Sequence, residues 1–344
     1  MSFSVGIVGL PNVGKSTLFK ALTRKKVNIA SYPFTTIDPN VGVAAVPDKR
    51  LEKIAEVIKP KKVTPIVIEF IDIAGLVKDA HKGQGLGNQF LAQIRNCDAI
   101  LEVVRAFEDP KVEHVSGEID PQTDVEIIKT ELLMKDLETL ENSLPKLEKD
   151  AKRDRRAARK LEVLKGIKEP LYEEKSISEI NFTEEEKEEI KEYQFLTAKP
   201  TLYVLNTDGT GKGLSFDFEH LVLNLKEEEE ISELSDSEAE ELEVESHLDQ
   251  LILSCYKMLD LITFYTVAGG KETRAWTIKR GSGVLKAASS VHSDFEKNFI
   301  KAEIINWEKL VEAESWAKAR ELGWIKIVGK EYAVEDCDVI EFKI

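Results

Sequence analysis

The sequence predicts an α/β protein in three parts: an α/β domain, a helical arm inserted into it, and a small C-terminal α+β domain. Three observations carry that expectation. Short β-rich runs alternate with helical or loop segments over the first third of the chain. Residues 124–193 then hold only Pro145, Gly166 and Pro170 as helix breakers and are dense in Glu, Lys, Leu, Ala and Arg. From about Asp260 the short β-rich runs return around Gly269 and Gly270.

The elements follow in order. Residues 4–8 read as a buried strand, followed by 41–46, 66–73 and 99–104, with a fifth at 201–205 after the long gap. Within the gap Ile128, Leu132, Leu133, Leu137, Leu140 and Leu144 fall at helical spacing, which predicts a helical hairpin. A helix of about 35 residues would be on the order of 50 Å long. Beyond 259, strands are expected at 263–267 and 274–278, a helical segment at 284–301, and a closing hairpin of 332–334 with 339–342. The expected partition is 1–258 for the first domain, interrupted by the insertion at 124–195, and 259–344 for the last.

Composition narrows the class. The chain has 344 residues, 42% apolar and 32% charged, which fits a folded multi-domain protein and excludes collagenous, disordered or membrane-bundle classes. No apolar run approaches the roughly 20 residues that span a bilayer, and the first ten residues lack the basic start of a signal peptide. Cys97, Cys255 and Cys337 are lone and odd in number, arguing for a reducing, cytoplasmic setting without disulfides or a zinc cluster. A net charge of -15 argues against a protein that coats nucleic acid over its whole surface. The acidic run after Lys226 reads as a solvated segment. The basic cluster from Lys152 to Lys160 is either a solvated helix face or a nucleic-acid contact.

The chemistry is concentrated near the N-terminus. GLPNVGKST at residues 9–17 satisfies G-x-x-x-x-G-K-[ST] between a strand and an amphipathic helix, as a working phosphate loop requires. Glycines let the backbone close around phosphate, successive N–H groups point inward, and the helix start adds partial positive charge. Lys15 supplies a point charge for the terminal phosphates, and Ser16 a hydroxyl for Mg²⁺. Asp72 through Gly75 form D-x-x-G at a strand end, placing a carboxylate to hold Mg²⁺ through water and a glycine N–H to sense the terminal phosphate. Thr35 and Thr36 lie in a Pro-bounded loop that reads as a switch. Gly83 to Gly87 form a candidate second switch.

Two departures bear on the reaction. Leu76 stands where many GTPases carry the glutamine that orients water, so that role must move elsewhere. The candidate is His114, on the ligand side of the expected sheet, with His81 as the rival. At the base site, Asn206-Thr207-Asp208-Gly209 replaces N-K-x-D. Thr207 takes the place of the lysine that packs along the base, and Gly209 that of the carboxylate that pairs with guanine.

Taken together these strings resemble the YchF family of Obg-like ATPases, within the translation-factor-related P-loop GTPases. The resemblance runs nearly end to end: GLPNVGKST, YPFTTIDPN, DIAGLV, KGQGLGNQF, HVSG, KPTLYVLN, RAWTI and DFEKNFIKAE. It implies a Rossmann-like P-loop G domain, a coiled-coil insertion and a C-terminal TGS domain of β-grasp type. It further implies Mg²⁺ ligands at Ser16 and Thr36, a phosphate cradle of Asn12, Val13, Gly14, Lys15, Ser16 and Thr17, and adenine contacts at Asn206 and Thr207. Asn12 resembles the residue of GTPases that recruit K⁺ beside the phosphates. The family typically carries Asn-x-x-Glu at the base site, where this chain has Asn-x-x-Gly.

Three functions stay open at this point. The first is a Mg²⁺-dependent nucleotidase that prefers ATP to GTP and acts as a switch on ribosomes. The second is a ribosome- or RNA-binding module gated by nucleotide, with incidental hydrolysis. A conventional GTPase is the third, opposed by Gly209. A cytoplasmic monomer without membrane contact is expected in each case.

Overall fold

The computed structural model describes residues 3–24, 40–73, 88–109, 119–209, 216, 218–267 and 270–344. Among the described residues, seven strands precede the C-terminal region: β1 (Phe3–Val8), β2 (Val41–Ala45), β3 (Lys62–Thr64), β4 (Val67–Asp72), β5 (Ala99–Arg105), β6 (Thr201–Asn206) and β7 (His220–Leu223). Six of them form a sheet in the order β2-β4-β1-β5-β6-β7. It is parallel throughout except for β2, which runs antiparallel to β4. β5 is buried along its whole length. Such strands, covered on both faces, read as continuous apolar runs, which is why β1 and β5 stand out in the sequence.

The register sets the functional edge. Ile7 lies opposite Asp72, Val8 opposite Glu102, and Arg105 opposite Asn206. The ends of β1, β4, β5 and β6 therefore converge where β1 passes into the helix Lys15–Arg24.

The insertion is a helical hairpin. Asp120 caps the 30-residue helix Pro121–Asp150 by accepting from the Thr123 N–H, and Pro121 occupies its first turn. Asp154 caps the return helix Arg155–Tyr172 in the same way, accepting from the Arg156 N–H. Leu133, Leu140 and Leu147 pack with Leu164, Ile167 and Leu171 in one buried seam. The Lys165–Glu148 pair at 3.0 Å and the Tyr172–Glu141 hydrogen bond at 2.9 Å show the two helices antiparallel. At the root, the buried Asp136 carboxylate accepts from the backbone N–H groups of Leu196 and Thr197, both at 2.8 Å, and from the Thr197 hydroxyl at 2.7 Å. One side chain in mid-helix thus fixes the returning chain.

The second sheet adds β8 (Leu261–Val267), β9 (Glu272–Lys279), β10 (Lys301–Asn306), β11 (Lys326–Val328) and β12 (Asp338–Lys343). Its order is β11-β10-β12-β8-β9-β3. β3, from the first part of the chain, closes it by pairing parallel to β9. Ile262, Phe264 and Ile278 pack with the helix Val284–Val291. Tyr265, Val267, Ala275 and Val339 instead join the core that runs through the first sheet.

Two local expectations are corrected here. Residues 332–334 form no hairpin with 339–342. Ala333 makes a single bridge to Gly283, and β12 lies between β10 and β8. Side chains shape the loop instead: the Asp338 carboxylate accepts from the Tyr332 hydroxyl and the Glu335 N–H, both at 3.0 Å, and Cys337 turns through a left-handed φ of 72°. The helical segment expected at 284–301 breaks at His292, continues as the short helix Ser293–Lys297, and gives way to β10 at Lys301.

Candidate phosphate-binding site

The loop from Gly9 to Lys15 leaves β1 under tight constraint. A Cβ on Gly9 would lie 2.4 Å from the Val103 carbonyl oxygen, and its φ is 145°. Gly14 has φ 107°, and a Cβ there would meet the Asn206 Nδ2 at 2.5 Å. Neither position accepts a side chain. Asn12 itself takes a left-handed φ of 62° and is exposed. Leu10 and Val13 are buried, anchoring the loop from below.

Lys15 is buried, and its Nζ donates to the Leu10 carbonyl at 2.5 Å across the loop. Burial pushes its pKa down to about 8, against the pull of the nearby Asp72 carboxylate. An ammonium held with so little compensation favours an incoming polyanion. The Ser16 hydroxyl is exposed at the helix start and donates to Asp72 Oδ2 at 3.4 Å, a long contact. Asp72 is buried at the end of β4. A hydroxyl and a carboxylate converging beside the phosphate cradle form an all-oxygen donor set, so the residues present fit Mg²⁺. Thr17 follows in the first helical turn, half-buried.

At the far side, Asn206 ends β6 and works in two directions. Its Nδ2 donates to the Val13 carbonyl at 2.9 Å, and its Oδ1 accepts from the Leu225 N–H at 3.1 Å. The amide therefore clasps the phosphate loop to the start of the helix Leu225–Ile231. Thr207 is buried beside it, its N–H donating to the Leu223 carbonyl and its hydroxyl accepting from the Gly209 N–H. Gly209 has φ 85°, and no atom of the described residues lies within 4 Å of where its Cβ would be.

The structure thus brings together Asn12, Val13, Gly14, Lys15, Ser16, Thr17, Asp72, Asn206 and Thr207. Thr36, Gly75, Leu76, His81 and His114, with the second switch at 83–87, lie outside the described residues. Sequence reasoning passed over Glu102 and Arg105. Both are buried in β5, and the signal was available as two charged residues inside an apolar strand. The Arg105 guanidinium donates to the Phe107 and Asp109 carbonyls, fixing the chain as it leaves the sheet.

The comparisons with known proteins agree with this geometry. Residues 4–143 match the MMR_HSR1 family, described as "50S ribosome-binding GTPase". Residues 261–344 match the YchF-GTPase_C family, described as "Protein of unknown function (DUF933)". A Bacillus subtilis (strain 168) protein called "Ribosome-binding ATPase YchF" is 46% identical, over 100% of this chain and 99% of its own length. The chain belongs to the YchF family. An Escherichia coli O157:H7 protein of the same name is 42% identical over 99% of both chains. The solved structure titled "Structure of the Schizosaccharomyces pombe YchF GTPase" superposes with a TM-score of 0.88 at 34% identity, covering 99% of this chain and 98% of that one. These YchF relatives carry both ATPase and GTPase names, so the base site bears directly on this chain's activity. No helix among the described residues is long and apolar enough to cross a membrane.

Proposed function

We propose that this YchF-family chain is a Mg²⁺-dependent nucleotidase that hydrolyses ATP in preference to GTP and acts as a nucleotide-gated switch on the ribosome. The observation that carries the reading is Gly209. Guanine presents N1 and N2 donors that need a carboxylate, and residue 209 offers none. Its φ of 85° lies in the left-handed region that favours glycine and that Asp and Asn enter more readily than other side chains. Ser16, Asp72 and Thr36 are the proposed Mg²⁺ shell. Lys15 neutralises the terminal phosphates, and Gly75 senses them. K⁺ beside Asn12 is the proposed source of positive charge to offset the transition state. The ribosomal setting comes from the names of the relatives, and a cytoplasmic monomer belongs to the same reading.

Side-by-side binding of ATP and GTP with Mg²⁺ tests the base preference. Tighter GTP binding overturns it, and Thr207→Lys with Gly209→Asp should shift preference toward GTP. Equal hydrolysis rates in potassium and sodium buffers remove the K⁺ part. His114 is proposed to position the attacking water. Single-turnover hydrolysis by His114→Ala and His81→Ala, at matched nucleotide affinity, decides between them.

The runner-up is a nucleotide-gated ribosome-binding module with incidental hydrolysis. The long arm favours it, since a projecting hairpin is suited to contact. A Lys15→Ala variant that loses function while keeping its partner favours the nucleotidase.

A further inference from the structure

Arg105 is a buried cation at the end of an otherwise largely apolar strand. A guanidinium there is costly to desolvate unless its donors are used. Arg105 uses them on the chain that follows it. Its Nε donates to the Phe107 carbonyl at 3.1 Å, and a terminal nitrogen donates to the Asp109 carbonyl at 3.4 Å. The guanidinium carbon also lies 4.6 Å from the centre of the Phe107 ring, within cation–π range. A planar fork can hold two carbonyls two residues apart and cover a ring at once, which the point charge of a lysine cannot.

The segment held in this way borders the nucleotide edge. Arg105 lies opposite Asn206, and the Ala106 N–H donates to the Asn206 carbonyl at 2.8 Å. Two residues earlier in β5, the Val103 carbonyl closes on Gly9, where a Cβ would clash. β5 therefore runs between the phosphate loop and the end of β6. Its exit at 106–109 lies at the carboxyl ends of the strands, where open α/β sheets take their ligands. The end of β6 has little to offer a base by itself. The Asn206 amide is committed to the Val13 carbonyl and the Leu225 N–H, and Gly209 has no side chain. The exit of β5 is the neighbouring wall.

We propose that Arg105 is a positioning residue for nucleotide binding: its guanidinium holds residues 106–109 as a preformed rim on the base side of the site. The proposal rests on the nucleotidase reading above. Residues 106–109 belong to no helix or strand. Without the guanidinium, this stretch would have to be ordered when the nucleotide arrives, at a cost in affinity. Arg105 does that ordering during folding. Its effect falls on the part of the ligand beyond the phosphates. The phosphate loop is shaped separately, by Gly9, Gly14 and the Asn206 clasp.

The test compares the full chain with Arg105→Lys and Arg105→Met by calorimetric titration in Mg²⁺. Two probes are used: ATP, and inorganic tripolyphosphate, which carries the phosphates without a base. Arg105→Lys keeps the charge and loses the fork, and it decides the matter alone where Arg105→Met does not fold. ATP affinity should fall about tenfold in Arg105→Lys, the scale of one charge-assisted hydrogen bond, and further in Arg105→Met. Tripolyphosphate affinity should keep its parental value in both. In steady-state hydrolysis KM for ATP should rise while kcat holds. An equal loss for ATP and tripolyphosphate would make Arg105 a general support of the fold and overturns the proposal. Parental ATP affinity in the folded variants overturns it as well, and leaves the nucleotidase reading standing. A parent that binds neither probe sinks that reading and this proposal together.

Discussion

Asn206 and Gly14 are in contact by necessity: the Nδ2 that donates to the Val13 carbonyl sits 2.5 Å from where a Gly14 Cβ would be. The end of β6 and the phosphate loop are therefore one unit, although the two residues lie far apart in the chain. Asn206→Ala leaves the Val13 carbonyl and the Leu225 N–H without their partner, at a cost of about 1–3 kcal/mol. Gly14→Ala pushes the clasp open from the other side. Urea unfolding should show both losses, and ATP affinity should fall in both. A stable Asn206→Ala variant with parental ATP affinity would remove the clasp from the account.

Lys15 yields a prediction of opposite sign for stability. Its ammonium is buried against one carbonyl, with its pKa lowered by burial to about 8. Removing such a charge costs the nucleotide-free fold little, because desolvation offsets most of its attraction. Lys15→Met should leave the nucleotide-free melting temperature unchanged or higher. The rise in melting temperature on adding Mg²⁺ and ATP, which depends on binding, should disappear. A large drop in nucleotide-free stability would show that the lysine is structural.

Much of this site was legible because local pattern and chemistry coincide. The strand-loop-helix around Lys15 and the carboxylate at Asp72 announce themselves within short windows. What escaped the sequence depends on distant partners. β3 is three residues long and pairs with β9 across some 200 positions of chain, so no local signal marks it. β10 is covered on both faces, with Ala302, Glu303, Ile304 and Ile305 all buried, and lacks the alternation that identifies a half-exposed strand. The structural use of Asn206 was hidden by the same distance: its position suggested the base, whereas both ends of its amide are engaged by backbone.

Glu102 makes a pH prediction. It is buried in β5, its Oε1 has no hydrogen-bond partner among the described residues, and Tyr203 lies opposite it in β6. Burial, then the Asp124 carboxylate at the start of the arm, hold its pKa well above the usual carboxylate range. The folded state keeps a proton that the unfolded chain releases from about pH 4.5 upward. The stabilisation is complete below that pH and is lost as pH rises toward the folded value, by at most about 1.4 kcal/mol per unit. Glu102→Gln mimics the protonated form at every pH. Urea unfolding at pH 5, 6, 7 and 8 should show the variant gaining on the parent as pH rises. A constant difference across that range would mean that Glu102 does not titrate there.

The two sheets are joined by a polar clamp as well as a common core. The buried Tyr265 of β8 donates its hydroxyl to Asp48 Oδ2 at 2.6 Å. Asp48 caps the helix Lys49–Ile58, accepting from the Arg50 N–H at 3.0 Å and from Arg50 Nε at 2.8 Å. Arg50 reaches on to Asp336 at 3.3 Å, and Asp336 accepts from the Thr263 N–H at 2.8 Å. Tyr265→Phe removes one donor and leaves the cap and the arginine in place, costing about 1 kcal/mol. Asp48→Ala deletes the cap, strands the Tyr265 hydroxyl and frees the guanidinium, so its cost should be about 2–4 kcal/mol. Asp48→Asn keeps an oxygen for the cap but weakens the link to Arg50, and should fall between them. Calorimetry should give a single transition for the parent, because β3 and this clamp make the two sheets one cooperative unit. In Asp48→Ala the transition should broaden or divide. If Tyr265→Phe proved as costly as Asp48→Ala, the hydroxyl rather than the carboxylate would be the centre of the clamp.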